Sequence, residues 1–181
     1  MNTMLRVSFG FMLFAAVLFA GCEKLADLTK FDIPLSTKFT IPANSLVGTL
    51  ITIPTPDIPT NADKIFDSNK TDSDLITSIK LKSMAVSINT PTTGTFKFLK
   101  SIEIWIKAGT LPETKLAYNS AVPAIVGNTL TVQLGDVDFK QYLTQNNVSF
   151  RIAFELDETI TEAYEIKLEP VFVVDAEILG Q

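Results

Sequence analysis

Histidine is absent from the 181 residues and cysteine occurs once. Without histidine the chain lacks the side chain that titrates nearest neutral pH and the commonest metal ligand. Ser-His-Asp and Cys-His nucleophilic catalysis, histidine-ligated zinc and histidine-held haem are therefore excluded. A single cysteine excludes disulfides within the chain, CxxC redox motifs and four-cysteine zinc or iron–sulfur sites. Basic charge is also scarce: 15 Lys and Arg face 20 Asp and Glu, for a net charge of −5. Nucleic acid, whose phosphates demand clustered cations, is not an expected partner. Arginine stands only at Arg6 and Arg151, so bidentate phosphate recognition is poorly supplied. No internal repeat, low-complexity tract or phosphate loop is present, and no cofactor is implied.

The first twenty-two residues carry the strongest positive signal. Arg6 is the sole charge of a short basic start, and Val7 to Ala20 is an apolar run of 14 residues closed by Gly21 and Cys22. A basic beginning, an apolar middle and small residues at the cut describe a secretory signal peptide. The run falls short of the about 20 residues that a spanning helix needs. The segment Leu18-Phe19-Ala20-Gly21-Cys22 resembles the lipobox of bacterial lipoproteins. That resemblance implies cleavage before Cys22, a diacylglyceryl group on its sulfur, and acylation (palmitate among the chains) of the new amino terminus. One acyl chain binds a bilayer marginally and two anchor it stably. Residues 1–21 are thus expected to be a cleaved signal peptide, and 22–30 a lipidated tether. The expected location is the cell envelope, at the outer membrane, with the leaflet open.

Loss of residues 1–21 removes Arg6 and no acid, so 14 basic side chains face 20 acidic ones and the charge becomes −6. The remaining stretch, 31–181, reads as a single domain. Apolar residues recur with a period of two, as half-buried strands require. Phe31, Ile33 and Leu35 alternate, then Phe39 and Ile41, then Val47, Ile51 and Ile53. Pro34 and Pro42 point to edge or entry strands, because proline has no amide donor. Residues 60–74 read as a polar loop with a helical turn near Lys64–Phe66. Ile79 and Leu81 lie on one phase and Met84, Val86 and Ile88 on the other, so a bulge near Ser83 or a strand turning between sheets is expected. Ile102, Ile104 and Ile106 form one inward face, and Leu130, Val132 and Leu134 another. The runs Val148 to Leu156 and Tyr164 to Ile178 form the last two, with Pro170 marking an edge or a kink. One short helix is expected near 136–144, with Asp136 as cap and Phe139, Tyr142 and Leu143 on its buried face. The fold is read as all-β, a sandwich or partly closed barrel of about eight strands. It resembles the immunoglobulin-like modules of bacterial envelope lipoproteins, a likeness of architecture that transfers no activity.

Candidate chemistry is thin. Glycoside hydrolysis needs only two carboxyl groups at a fixed separation, and Glu103, Glu155, Glu162, Glu165 and Glu169 supply acids, though on outward strand positions. Asp67 to Asp74 offers oxygen ligands at alternate places but lacks the glycine and glutamate of a calcium loop, so no metal is expected. Ser36-Thr37-Lys38 and Ser78-Ile79-Lys80 do not match a serine–lysine nucleophile. Trp105 is the informative aromatic. With Ile104 and Ile106 inward it points outward between Glu103 and Lys107, either as a platform for the apolar face of a sugar or covered by a loop. The expected function is a noncatalytic binding or scaffolding role for a membrane-anchored lipoprotein whose partner is an envelope protein or a glycan. The alternative is a glycan-binding accessory lipoprotein using Trp105, Glu103 and Lys107. A carboxylate hydrolase, or a lipid carrier with an apolar cavity between its sheets, ranks below both.

Overall fold

The computed structural model describes residues 29–177. The expected signal peptide, Cys22, most of the expected tether and Ile178 lie outside the described residues. What is described is a sandwich of two antiparallel sheets, one five-stranded and one six-stranded, and not a closed barrel. Eleven strands stand where about eight were expected, because several are two-residue pieces and two edge strands are each divided.

The first sheet has β11 (Tyr164–Ala176) at its centre, paired on one side with β5 (Ile76–Thr90). On its other side lie β1 (Lys30–Pro34) and β2 (Thr37–Ile41), and β8 (Thr129–Leu130) pairs the outer side of β5. The second sheet is built on β10 (Asn147–Leu156) and β6 (Leu99–Lys107). Outside β10 lie β3 (Ile51–Pro54) and β4 (Ile58–Pro59), and outside β6 lie β7 (Thr114–Asn119) and β9 (Gln133–Leu134). Helices α1 (Ala62–Ser68) and α2 (Lys140–Leu143) close one end.

The period-two reading places most of the core correctly. Ile79, Leu81, Met84, Val86 and Ile88 are all buried, and the phase change between them is a bulge. Ser83 pairs Val171 while Leu81 pairs Phe172, so Lys82 is the extra residue. Phe150, Phe154 and Phe172 are essentially inaccessible and face the opposing sheet, with Phe39 and Phe154 meeting at 6.4 Å between ring centroids. Each such side chain stabilises the fold by about 1.5–3 kcal/mol on burial. Phe139, Tyr142 and Leu143 are buried at one end, with Phe139 5.6 Å from Phe172.

Four expectations are corrected. Asp136 does not cap α2: it is fully exposed and sits 3.5 Å from Lys80, while Asp138 accepts the amides of Lys140 and Ile79. Val47 belongs to no strand, since the chain from Pro42 to Leu50 is a loop in which Leu46, Val47 and Leu50 are exposed. Residues 129–134 are not one inward strand. They cross from the first sheet at β8 to the second at β9, leaving Leu134 exposed and bridging one side of the sandwich. Pro170 is not at an edge but in the central strand β11, for a reason given in the Discussion.

The two ends of the sandwich differ. Lys30 pairs Asp175 where the chain enters, and Thr29 donates to the Asp175 carboxylate. That entry end also holds α1, the turn between β6 and β7, and α2. At the far end the connections 42–50, 91–98, 120–128 and 157–163 all cross from one sheet to the other. No helix among the described residues is long and apolar enough to cross a membrane.

Candidate functional site

The three residues singled out around Trp105 share the outer face of the second sheet, as alternation along β6 requires. Their surroundings come from register. Trp105 stands opposite Arg151 on β10 and opposite Lys115 on β7. The Lys115 ammonium and the Arg151 guanidinium each lie 5.0 Å from the centroid of the indole, within cation–π range. Trp105 donates its indole N–H to Glu103 at 3.2 Å, and Lys115 donates to the other oxygen of Glu103 at 2.6 Å. Arg151 in turn donates to Glu113 at 2.6 Å. Trp105 is half-buried, with charged side chains of the two flanking strands lying over its ring. A sugar ring stacking there would have to displace a cation.

Sequence reasoning missed Lys115, Glu113 and the role of Arg151. Residues 114–119 break strict alternation because Leu116 is an extra residue between two pairs, Ala117 with Ile104 and Lys115 with Trp105. Leu116 and Ala117 are both buried, which hides the strand from a period-two search. Behind β7 the chain passes so close that a Cβ on Gly135 would lie 2.5 Å from the Lys115 carbonyl oxygen, so only glycine fits.

Four of the five candidate glutamates are committed to cations, and Glu162 has no cation partner among the described residues. The hydrogen bond from Lys115, then the indole N–H and the nearby positive charges, outweigh partial burial and hold Glu103 below the usual carboxylate range. Glu165 is lowered likewise, first by Lys38 and then by the Asn89 amide. Glu155 bonds Lys100, and Glu169 bonds Lys167. A general acid needs a shift in the opposite direction. Asp67 to Asp74 is split between the end of α1 and a turn in which Asp72 accepts the Asp74 amide. Among the described residues no three His, Cys, Asp or Glu converge on one point.

Lys107 is not part of the Trp105 cluster. It pairs Ser149 two residue pairs nearer the entry end, and there the outer face opens into a cleft of 440 Å³ lined by Asp57, Lys107, Gln145, Asn146, Asn147 and Ser149. A smaller cleft of 200 Å³ shares Gln145 and Asn146 and extends along Thr60 to Lys64. Asp57 reaches the larger cleft through an irregularity in the edge. Register runs Pro54 with Arg151 but Ile58 with Val148, one residue out of step, so the chain bulges at Pro56 and Asp57. The buried Thr60 hydroxyl donates to the Gln145 carbonyl at 2.6 Å, and the Thr60 amide to that of Asn146 at 3.0 Å, fixing the loop that forms the cleft's rim. Tyr142 ties the β6–β7 turn to α2 by donating to the Pro112 carbonyl at 2.7 Å. The cleft is thus mounted on pinned loops, as a binding site requires.

No family model matches the sequence, and no curated protein does. Among solved structures, the chain is similar to FlhE at 10% identity and a TM-score of 0.35, over 82% of this chain and 98% of that one. It is similar to the BFDV capsid protein of a 60-mer at 11% identity and 0.28, over 84% and 96%. A turnip yellow mosaic virus chain follows at 11% and 0.26, over 83% and 98%. At these scores the likenesses carry no inference about function.

Proposed function

We propose that this protein is a lipid-anchored lipoprotein of the bacterial cell envelope, at the outer membrane, with a noncatalytic binding role. The reading rests on Leu18-Phe19-Ala20-Gly21-Cys22 for the anchor. For the binding role, the observation that carries it is the entry-end cleft, where the side chains of Asp57, Lys107, Asn146, Asn147 and Ser149 make no hydrogen bond or ion pair among the described residues. Cys22 precedes Thr29 by seven residues, a span of at most about 25 Å when fully extended. Acylation there would hold the entry end, with its cleft, nearest the bilayer. The outermost strands β1, β2, β3, β4, β8 and β9 are two to five residues long, which limits strand addition by a protein partner to them. The second reading, a glycan-binding accessory lipoprotein, is favoured by the same cleft rather than by the indole.

Radioactive palmitate fed to cells expressing the full chain tests the anchor. The natural protein is expected to be labelled and to sediment with outer membranes, whereas Cys22→Ala is expected to lose both properties. Labelling that persists in Cys22→Ala would overturn the assignment, as would a natural protein that retains Met1 and a free thiol.

A further inference from the structure

We infer that the entry-end cleft binds a neutral saccharide, through Asp57, Lys107, Asn147 and Ser149, with Gln145 and Asn146 at its rim. The inference deepens the binding role proposed above and rests on it. Its first support is chemical. A sugar hydroxyl donates and accepts at once, so a site for it must present both kinds of group. Asn146, Asn147, Gln145 and Ser149 each offer both, Lys107 adds donors and Asp57 adds acceptors.

Availability is the second support. Lysines 30, 38, 80, 82, 97, 100, 115 and 167 are all paired with carboxylates, and Lys140 donates to the Ile76 carbonyl. Lys107, like Lys64 and Lys70, makes no ion pair among the described residues, although Asp57 lines the same cleft. The side chains of Asp57, Asn146, Asn147 and Ser149 likewise have no hydrogen-bond partner there. A concentration of unmatched polar groups around one concavity marks a place left for a ligand.

Charge and size narrow the class. One carboxylate and one ammonium offset each other, so neither a phosphate nor a divalent cation finds the excess of opposite charge it needs. The cleft volume, 440 Å³, falls in the roughly 300–1,000 Å³ range of small-molecule sites. The lining is too polar to favour an apolar ligand. Arg151 and Trp105 form the next outward-facing pair beyond Ser149 and Lys107, so an oligosaccharide leaving the cleft would run along the outer face of β6 and β10.

The test uses the full chain in detergent micelles and follows backbone amides by NMR. The probes are chitotriose, cellotriose, xylotriose, inorganic phosphate, and vesicles containing a neutral glucosyl lipid. Saturable shifts centred on Asn146 to Ser149 are expected with at least one trisaccharide or with the glucosyl vesicles. A response to the vesicles alone would assign the sugar to a lipid headgroup, and a response to a trisaccharide would assign it to a free glycan. Asn147→Ala and Lys107→Ala are each expected to weaken binding about tenfold, or 1.4 kcal/mol. Both should keep the natural spectrum elsewhere. Saturable shifts with phosphate alone, no shifts with any probe, or unchanged affinity in both variants would overturn the inference. Palmitate labelling is read separately, so a lipidated protein that binds no sugar refutes the cleft assignment and leaves the anchor standing.

Discussion

Both sheets end in a divided edge strand, and the two divisions have different origins. In the first sheet β1 and β2 keep one register along β11: Pro34 faces Val171 and Thr37 faces Leu168. The gap arises on the partner strand. Leu35 donates its amide to the Pro170 carbonyl at 2.9 Å, but Pro170 has no N–H to return. A proline is tolerated in this central strand because its missing donor points to the side where the edge strand is divided, leaving the pairing with β5 intact. In the second sheet the irregularity lies in the edge strand itself. Thr55 donates its amide to Phe150 at 2.7 Å, and the Phe150 amide donates to the Thr55 hydroxyl at 2.8 Å. A side chain thus replaces a backbone acceptor, the next residues bulge outward, and Asp57 reaches the cleft. An interruption that keeps register changes little around it, whereas one that shifts register creates a surface.

The largest expected effect tests the outer faces of the same two sheets. Trp105→Ala removes the half-buried ring that two cations and a carboxylate surround, and should cost about 2–3 kcal/mol in urea unfolding. Lys82→Ala on the first sheet removes an exposed pair with Asp32 and should cost under about 1 kcal/mol. Equal losses would erase the distinction between the faces.

The edges come next. Thr55→Val strands the buried Phe150 amide and should cost about 1–3 kcal/mol, with Thr55→Ser restoring most of it. Pro170→Ala supplies a donor for the Leu35 carbonyl while releasing unfolded-chain freedom. It should therefore shift stability by less than about 1 kcal/mol. A loss from Pro170→Ala as large as that from Thr55→Val would contradict the account of the two divisions.

The smallest effect is on acid stability. The folded pKa of Glu103 is depressed, so its contribution is present above the ordinary value of about 4.3 and is lost as pH falls through the folded value. The carboxylate is 41% exposed, so solvent limits the contribution to a few tenths to about 1 kcal/mol. Glu103→Gln should be less stable than the natural protein at neutral pH and converge with it at low pH. Glu165→Gln should show the same sign on the first sheet. A gap that widens on acidification would reverse the assignment.

Much of the sandwich is legible from residue order because burial on one face imposes a period of two. The bulge beside Ser83, the inward faces of β6 and β10, and the outward direction of Trp105 follow from that rule. The failures also have physical causes. Val47 fits the period but lies four residues before the first residue of β3, in a loop. Leu130 to Leu134 alternates, but the segment changes sheets partway. The sequence points to Asp136 as cap, whereas the carboxylate of Asp138 takes the amides of Lys140 and of Ile79, a residue 59 positions away that local pattern does not bring in. The partners of Trp105 were illegible because cross-strand neighbours depend on register, and a bulge at Leu116 sets that register on one side.

Residue order by itself determined an all-β chain without histidine chemistry, its alternating core and the lipoprotein-like start, since composition and period are local properties. Only the tertiary structure decided which cations surround the indole, where a proline could sit in a central strand, and that Asp57 and Lys107 share a cleft. Those outcomes depend on register between strands distant in sequence, where a single extra residue redirects every side chain that follows.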